Sequence, residues 1–466
     1  MDKFFKISER GSNVKTEIIA GLTTFFAMAY IVIVNPNQVI GFSFDVPGVP
    51  AIWNAVYIAS ILAAVIGTLL YAFYAKMPFA QACGMGLNSF FFTSFVLPQI
   101  IAGKDVVKGY QAGLVIILVS GLVFLILSIT GAREYIAKAM PDCIKKAIPA
   151  GIGLFIAFIG FQNVGIIQAN QYTLVQFVKL NGVTWKTVAP AVIALFGFLL
   201  IAVLTKLKVK GAVLISILAT SVVYYLATWT VPNFDISSFA EPFKDFANIG
   251  VTAVFQGESW RNAFSPEFVG GIFSAIMLIV TFCLVDMFDT IGTLYGAASE
   301  ADMLDENGDP IDINKSMACD SIATCSGAVL GTSTVTTFVE SAAGVAAGGR
   351  TGLTSLVTAL CFAVCLFLSP VASIIPSAAT APALIFVGVL MLKNFSKVDM
   401  QDMRSAVPAF LTLVMMPLTY SIANGIGIGA IAYVLITLFT GKYSKKDIVV
   451  TLIAALFVCK FVFGAM

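Results

Sequence analysis

The sequence contains no histidine, and charged residues are scarce. Of its 466 residues, 11% are Asp, Glu, Lys or Arg, whereas a soluble domain of this size carries about 25%. Because no imidazole is present, any proton transfer has to use carboxylates. The low charge excludes an ordinary soluble domain. The missing histidine also leaves a hydrolase without its usual base or metal ligand, so we do not expect an enzyme.

The cysteines do not suggest a metal site or a disulfide. The eight cysteines are scattered, and most lie inside apolar segments. Only Cys361 and Cys365 are close together, and they lack a histidine or a second cysteine pair nearby. This spacing favours core packing over metal ligation. We expect no disulfide, no metal and no cofactor.

Long apolar runs are abundant instead. Hydrophobic residues make up 59% of the chain, and the mean hydropathy is +0.95. Runs such as Gly113–Leu127, Ala191–Leu204 and Val269–Val285 approach the roughly 20 residues that cross a bilayer as a helix. The first apolar segment is long enough to remain as a span, so no cleaved signal peptide is expected. These runs predict an all-α polytopic membrane protein.

Fourteen spans are predicted, followed by one further apolar stretch, 447–465, that is either a fifteenth span or an interfacial helix. The predicted spans are 16–40, 52–75, 87–102, 110–130, 145–168, 186–206, 210–230, 266–297, 314–330, 338–349, 350–369, 377–393, 404–420 and 422–440.

The distribution of basic residues gives this set of spans an orientation. With a cytoplasmic N-terminus, twenty of the 27 Lys and Arg residues lie on the inner side, as the positive-inside rule requires. We therefore expect a multi-pass protein of a bacterial inner membrane. The outer loops hold the few remaining basic residues, apart from Lys460 in the last stretch: Lys104, Lys108, Lys179, Lys186, Lys244 and Arg261.

Two long connections divide the chain. Residues 231–265 are expected outside, and the acidic run 298–315 is expected to be a solvated inner loop. The chain's midpoint falls in the first connection, which predicts two halves of seven spans. Because seven is odd, the halves would have opposite topology, as in the inverted repeats of secondary transporters. Residues Ala147–Gly160 and Thr380–Leu390 show a weak similarity that agrees with such a repeat.

The first motif is the segment Gln81–Phe92. Gly84 and Gly86 disfavour a continuous helix, and Pro78 disfavours an earlier start. Extended backbone in a membrane is tolerated only where it lines a cavity or is buried in protein. The segment is predicted to lead into a helix starting near Asn88, whose side chain would cap it. The alternative is a close helix crossing that uses glycine as a small residue.

The second motif is the segment Gly331–Arg350. Its Ser, Thr and Val residues favour a strand, and Glu340 then stands at the start of a short Ala/Gly helix, where the helix dipole favours a carboxylate. Alternatively, Glu340 only caps its own helix. The two broken spans are predicted to pair their short strands antiparallel at the midplane, with both half-helices directed at one site.

The third motif places two carboxylates in an apolar helix. Asp286 and Asp289 are three residues apart and share a helix face. A carboxylate within a membrane helix costs about 2.5–3.5 kcal/mol, and such residues usually face an ion or substrate path. The alternative is an Asp near the helix end that reaches water. Asp320 is a further buried acid, and a partnership with a backbone amide or Arg350 is as well supported as a functional role.

These motifs together resemble the AzgA-like hypoxanthine/guanine/adenine permeases, and most of all their bacterial guanine/hypoxanthine branch. The resemblance covers essentially the whole chain in order. It is carried by Thr16–Pro36, Gly84–Phe91, Val285–Thr293, Leu330–Thr334 with Val339–Ser341, and Val407–Thr412 with Met415–Ser421.

The resemblance implies a fold similar to that of the uracil permeases, with a core and a gate domain. The core would comprise 1–140 and 266–369, and the gate 141–230 and 370–466, with 231–265 as an extracytoplasmic loop. It also implies purine:proton symport, with guanine and hypoxanthine favoured over adenine.

The resemblance also assigns roles to the polar residues. Glu340 and Asp286 would hold the base, Asn88 would support it from the opposing strand, and Asp289 would act less directly. Phe90 or Phe338 would cover a ring face, and backbone amides near Phe338 and Gly86 would serve the carbonyl and ring nitrogens. The coupled proton would bind one of three carboxylates: Asp286, Glu340 or Asp289.

Two other functions stay open at this level. An anion transporter for sulfate or bicarbonate could share the architecture, although acidic residues suit an anion site poorly. Sodium coupling could replace proton coupling, because Asp and Thr oxygens are suitable ligands. The expected partners are a purine base, a proton and the lipid bilayer, with no nucleic acid. The oligomeric state, a homodimer included, stays open.

Overall fold

The apolar runs of the sequence form helices, because only internally hydrogen-bonded backbone is stable in hydrocarbon. The computed structural model describes residues 2–42, 44–130, 140–180, 183–231, 239–300, 303, 310–444 and 447–463. Residues 301, 302 and 304–309 of the acidic run 298–315 fall outside this range, as do four of the basic residues assigned to the inner side: Arg133, Lys138, Lys445 and Lys446.

The first half of the chain consists of helices and three short strands. Its elements are α1 (Asp2–Phe5), α2 (Val14–Met28), α3 (Ile31–Val39), α4 (Val49–Leu70) with a π-helical turn Tyr71–Ala75, β1 (Gln81–Cys83), α5 (Met85–Phe91), a π-helical turn Phe92–Val96, α6 (Leu97–Ala102), α7 (Val106–Thr130), α8 (Asp142–Asn163), β2 (Ile167–Asn170), β3 (Leu174–Phe177), α9 (Trp185–Lys206) and α10 (Ala212–Thr228).

The second half has fewer strands and more short helices. Its elements are α11 (Glu241–Asp245) with a π-helical turn Phe246–Gly250, a 3-10 turn Ala253–Phe255, α12 (Gly257–Ala263), α13 (Ile272–Glu300), α14 (Ile313–Leu330), β4 (Val335–Thr337), α15 (Ser341–Ala346), α16 (Gly352–Cys365), a 3-10 turn Leu366–Leu368, α17 (Ser369–Ser373), α18 (Ser377–Leu392), a 3-10 turn Lys393–Lys397, α19 (Met403–Leu418), α20 (Ile422–Phe439) and α21 (Ile448–Phe463).

Within the described residues, ten helices are long and apolar enough to cross a membrane. Three apolar helices are shorter: Ala212–Thr228, Met403–Leu418 and Ile448–Val462. The chain is therefore an integral multi-pass membrane protein. The last apolar stretch of the sequence is helical, as α21.

The two predicted strands form and pair as expected. β1 and β4 are antiparallel, with Gln81 opposite Thr337 and Cys83 opposite Val335. Both strands are completely buried. This confirms the prediction of two broken segments, one in each half of the chain, that meet through their extended backbones.

A second small sheet was not predicted. β2 and β3 form an antiparallel hairpin in the connection between α8 and α9. Its turn is stabilised by Asn170, whose side-chain oxygen accepts from the backbone N–H groups of Tyr172 and Thr173 at 2.8 and 3.0 Å. A four-residue strand has too few residues for its alternation to be recognised, so the fold is all-α with two small sheets.

The prediction that Asn88 caps a helix is wrong. Helix α5 begins at Met85, and Gly84 is its N-cap residue. Asn88 therefore lies one turn inside the helix, where its own N–H donates to the Gly84 carbonyl at 2.9 Å. Gly84 has extended backbone angles, so the chain passes from strand to helix earlier than the position of Asn88 suggested.

The two segments with weak sequence similarity pack against each other. Gly153 of α8 and Gly388 of α18 face one another so closely that a Cβ on Gly388 would lie 2.5 Å from the Gly153 carbonyl oxygen. Gly160 likewise lies against Ala381 and Leu384. Small residues allow such close backbone approach in membrane helices, which explains why both segments need glycine at these positions.

Candidate substrate site

Glu340 is the carboxylate at the end of the paired strands. It is half-buried and is the N-cap residue of α15. The buried hydroxyl of Tyr30, at the junction of α2 and α3, donates to its Oε1 at 2.7 Å. Tyr30 was not among the predicted site residues. The sequence signal that could have identified it is a tyrosine hydroxyl within the otherwise mainly apolar segment Thr16–Pro36, which carries part of the family resemblance.

Asp289 shares the environment of Glu340. It is half-buried, and its Oδ2 lies 3.9 Å from the point where a Cβ on Gly84 would stand. Its electrostatic neighbours are the carboxylates of Asp320 and Glu340. The structure thus brings Asp289 and Glu340 together beside the junction of β1 and α5.

Asp286 is more deeply placed than its neighbour on the same helix. Its side chain is 1% exposed and lies against α14, with Oδ2 2.8 Å from the Thr324 hydroxyl. Its Oδ1 has no hydrogen-bond partner among the described residues. The two aspartates of the third motif therefore occupy different environments: Asp289 lies toward Glu340, and Asp286 lies toward the outer edge of β4.

Asn88 connects the two broken segments. It is fully buried, and its side-chain oxygen accepts from the Ser333 hydroxyl just before β4. Its amide nitrogen is 3.4 Å from Gln38 Oε1 of α3, and Gln38 in turn donates to the Met85 carbonyl at 3.2 Å. The run of polar residues from Asn35 to Gln38, unusual in an apolar span, is the signal that would have identified this partner.

Asp320 is the hydrogen-bond centre of the strand pair. Its Oδ2 accepts from the Thr290 hydroxyl at 2.7 Å and the Thr337 amide at 3.1 Å. Its Oδ1 accepts from the Thr337 hydroxyl at 2.8 Å, from the Tyr71 hydroxyl at 3.2 Å and from the Gln81 amide. The backbone partnership considered from the sequence is present. Arg350 donates elsewhere, to the carbonyls of Val345 and Gly349 at 2.7 and 2.8 Å.

The aromatic residues predicted to cover a purine ring are packed inside the protein. Phe90 is 2% exposed and its ring lies 4.6 Å from that of Phe282. Phe338 is 5% exposed, and its N–H donates to the Ala80 carbonyl at 3.0 Å. The Phe338 amide itself is used by the strand pairing, so the prediction that amides near Phe338 serve the base would have to rest on neighbouring residues.

Gly86 is placed at a contact between helices rather than beside the carboxylates. It lies in the first turn of α5, and a Cβ there would collide with the Ile152 side chain of α8. Ile156, one turn further along α8, is 3.8 Å from the same point. Gly86 thus permits close approach between the broken segment and α8.

The site is acidic throughout. Four carboxylates lie around the strand pair, and none takes part in the ion pairs found among the described residues. Carboxylates accept hydrogen bonds and cannot donate them when ionised. The arrangement suits a ligand that offers N–H donors or protons, and it lacks the cationic groups that an anion would require.

The sequence comparisons agree with a transport role. The Xan_ur_permease family model, described as a permease family, matches residues 15–428. The chain belongs to this permease family. It is 40% identical to the guanine/hypoxanthine permease PbuG of Bacillus subtilis, covering 99% of this chain and 100% of that protein. It is 36% identical to the adenine permease AdeP of Escherichia coli, covering 99% and 96%.

The fold of this permease is also found in a solved transporter. The transmembrane domain of the cyanobacterial bicarbonate transporter BicA superimposes with a TM-score of 0.59, covering 88% of this chain and 97% of that domain. The sequence identity is 15%, so the likeness concerns the fold alone. The chain is thus a membrane transport protein of the permease family, as the sequence predicted.

Proposed function

We propose that this permease imports purine nucleobases by proton symport and prefers guanine and hypoxanthine to adenine. The observation that carries the proposal is the half-buried Glu340, held by Tyr30 at 2.7 Å, next to Asp289 in a site without described cationic partners. A purine offers several N–H donors on one edge. The carboxylates of Glu340 and Asp289 can accept hydrogen bonds from the N–H groups of that edge.

The chemistry of binding follows from this geometry. Ionised Glu340 accepts from ring N–H groups, and a hydrogen bond to a charged partner contributes about 1.5–3 kcal/mol. Tyr30 orients the carboxylate by occupying one oxygen, which leaves the other for the base. Asn88 holds the opposing segment through Ser333, and Gly86, Phe90 and Phe338 shape the surrounding packing. The proton binds among the carboxylates Asp286, Asp289 and Glu340.

Relatives support the purine assignment over the anion alternative. Guanine/hypoxanthine and adenine permeases match nearly the full length of this chain at 40% and 36% identity, whereas the bicarbonate transporter shares the fold at 15%. An anion site needs Arg, Lys or unoccupied amide donors. The described site provides carboxylates and hydroxyls. The similar fold of the bicarbonate transporter is therefore no argument for an anion substrate in this permease.

The proposal includes the membrane architecture. We assign fourteen spans in two inverted halves of seven, with the core at 1–140 and 266–369 and the gate at 141–230 and 370–466. The antiparallel pairing of β1 with β4 and the close packing of α8 on α18 support a two-fold relation between the halves. The N-terminus is assigned to the cytoplasmic side of an inner membrane.

The test is uptake of radiolabelled hypoxanthine and guanine in a host that lacks its own purine transporters. Competition by each nucleobase defines the preference, and a protonophore or replacement of sodium defines the coupling ion. We expect uptake to be saturable. Unlabelled hypoxanthine and guanine should inhibit it more strongly than adenine does, and the protonophore should abolish it.

Glu340→Gln is the matched variant. An amide places a donor where the base presents N–H groups, so we expect the KM for hypoxanthine to rise at least about tenfold. Asp45→Asn, at an exposed loop position, is the control. Uptake of bicarbonate or sulfate that purines do not inhibit would contradict the proposal, and so would sodium-dependent uptake that is insensitive to the protonophore.

A further inference from the structure

A single hydroxyl, that of Thr324, pairs with the backbone groups on the edge of β4 that faces away from β1. Gly84 donates to the Thr334 carbonyl and Phe338 donates to the Ala80 carbonyl, both at 3.0 Å. Because hydrogen-bonded and non-hydrogen-bonded pairs alternate in an antiparallel ladder, Cys83 and Val335 form a non-hydrogen-bonded pair. Both backbone groups of Val335 therefore point away from β1. They meet the Thr324 hydroxyl, which lies 3.2 Å from the Val335 nitrogen and 3.0 Å from its oxygen.

The first half of the chain contains the same arrangement without a carboxylate. The Gln81 N–H of β1 donates to the Thr68 hydroxyl at 3.0 Å, and that hydroxyl donates to the Gln81 carbonyl at 3.3 Å. One hydroxyl thus satisfies both backbone groups of one strand residue and uses its only hydrogen to do so. Thr68 shows how a threonine closes the edge of a buried strand here.

Thr324 has one neighbour that Thr68 lacks. In addition to Val335, it contacts Asp286 Oδ2 at 2.8 Å. A hydroxyl supplies one hydrogen and accepts two. The Val335 carbonyl, buried and without another described donor, takes that hydrogen, and the Val335 N–H fills one acceptor position. The remaining acceptor position of Thr324 can pair only with a donor.

We infer that Asp286 is the carboxylic acid that carries the coupled proton, and that Thr324 is the positioning residue that transmits its protonation state to β4. In this assignment Asp286 donates its proton to the Thr324 oxygen across the 2.8 Å contact, and the Thr324 hydroxyl and both backbone groups of Val335 are then paired. The inference rests on the proposed function in one respect: the proton on Asp286 is a coupled proton only if the protein is a proton symporter. The protonation state is inferred from the hydrogen-bonding capacity of Thr324 and does not depend on which substrate is transported.

Loss of the proton has a defined structural consequence. One hydrogen of Thr324 then has two acceptors, the Asp286 carboxylate and the Val335 carbonyl, and one of them is left unpaired. A buried unpaired polar group costs about 1–3 kcal/mol, and more when it is charged. Release of one proton from Asp286 to the inner aqueous phase therefore destabilises the edge of the strand that leads to Glu340. Binding of one proton from the outer phase restores that edge.

The surroundings of Asp286 favour the neutral acid. The titratable groups that face it are Asp289 and Cys283 on its own helix and Asp320 and Cys325 on α14. No described Lys or Arg forms an ion pair with it. Asp320, in contrast, accepts from five groups, as described above, and hydrogen bonds of this kind favour the ionised form.

Asp286→Asn separates binding from coupling. Its amide group can donate to Thr324 as the acid does but cannot release a proton, so we expect the purine counterflow that remains in loaded vesicles to lose its dependence on pH. Accumulation, which a potential of ~100 mV would sustain at about 50-fold in the wild type, should fall to equilibrium. Thr324→Ser should keep the wild-type pH profile. Thr324→Val should lose it, because the methyl group pairs with neither Val335 nor Asp286. Accumulation by Asp286→Asn with the wild-type pH profile would overturn the inference.

Infrared spectroscopy of the purified wild-type protein tests the protonation state without reference to transport. We expect the carbonyl stretch of a protonated carboxylic acid at neutral pH, its loss in Asp286→Asn, its persistence in the Asp45→Asn control, and its displacement in Thr324→Val. A spectrum of Asp286→Asn identical to the wild type overturns the inference, as does an unshifted band in Thr324→Val. Absence of purine uptake by the wild type would instead reject the proposed function and leave the infrared result standing.

Discussion

At the scale of single residues, the four carboxylates of the site differ in the number of donors that reach them. Asp320 accepts from five groups, whereas Glu340 has Tyr30 and Asp286 contacts Thr324 alone. No described residue donates to Asp289. Four ionised carboxylates without cations would be unstable inside a membrane. The unequal supply of donors sets Asp320 apart as the best-stabilised anion, and the proposals above assign Asp286 as the neutral acid and Glu340 and Asp289 as the groups that face the substrate.

Asp320→Asn is expected to destabilise the protein more than any other Asp→Asn change at the site. The amide nitrogen would face donors such as Thr337 and Gln81, leaving them buried and unpaired. Loss of hydrogen bonds to a buried charge predicts a decrease of about 3 kcal/mol or more in stability. The measurement is the thermal unfolding midpoint of the purified protein, with Asp45→Asn as the control. An unchanged midpoint would show that Asp320 is not the anchor of the strands.

At the scale of elements, the contact between α5 and α8 places the broken segment against the proposed gate. Gly86 has no side chain, and Ile152 fills the space that a Cβ would occupy. The first residue belongs to the segment that carries Asn88, and the second belongs to the helix that packs closely on α18. Under the proposed division into core and gate, motion of the gate relative to the core would change this contact.

Gly86→Ala is expected to reduce the rate of purine uptake, because the added methyl group collides with Ile152. Ile152→Ala removes the colliding atoms, so the double variant should recover part of the rate. Neighbouring residues in contact show coupling energies of about 0.5–3 kcal/mol. The measurement is the initial uptake rate in all four proteins, normalised to the amount in the membrane. Additive effects in the double variant would mean that the two residues do not interact during transport.

At the scale of the whole molecule, the basic residues support the proposed orientation in the membrane. The exposed pair Lys108 and Glu258, 2.8 Å apart, lies on the side assigned to the outside. Lys442, after α20, lies on the side assigned to the cytoplasm. An excess of Lys and Arg in short inner loops orients a polytopic protein, and the proposed topology gives this chain that excess.

Cysteine labelling in intact cells tests the orientation. In a Cys459→Ser background, which removes the exposed native cysteine, Glu258→Cys should react with a membrane-impermeant thiol reagent. Lys442→Cys should react only after the membrane is permeabilised, because the proposed topology places its loop on the cytoplasmic side. The background protein without an added cysteine is the control. The reverse labelling pattern would invert the proposed topology.

Much of the fold and part of the site could be predicted from the sequence. The apolar runs located the helices, and the Gly-rich and Thr-rich segments located β1 and β4, since both signals are local. The hairpin of β2 and β3 was missed because each strand is four residues long. Asn88 was predicted as a cap because an Asn after glycines is typical of a helix start, but Gly84 already provides that start.

Composition and periodicity by themselves determined that the chain is a helical membrane protein, and the absence of histidine predicted that its proton chemistry would depend on carboxylates. Only the tertiary structure decided how those carboxylates differ. Asp286 and Asp289 share a helix face, yet one meets the hydroxyl of Thr324 and the other lies near Glu340. The donors that distinguish them come from α14 and from the junction of α2 with α3. These donors are far from the acids in the sequence, and only the packing of the helices brings them into contact. The spacing of the acids therefore could not predict which donor each acid would meet.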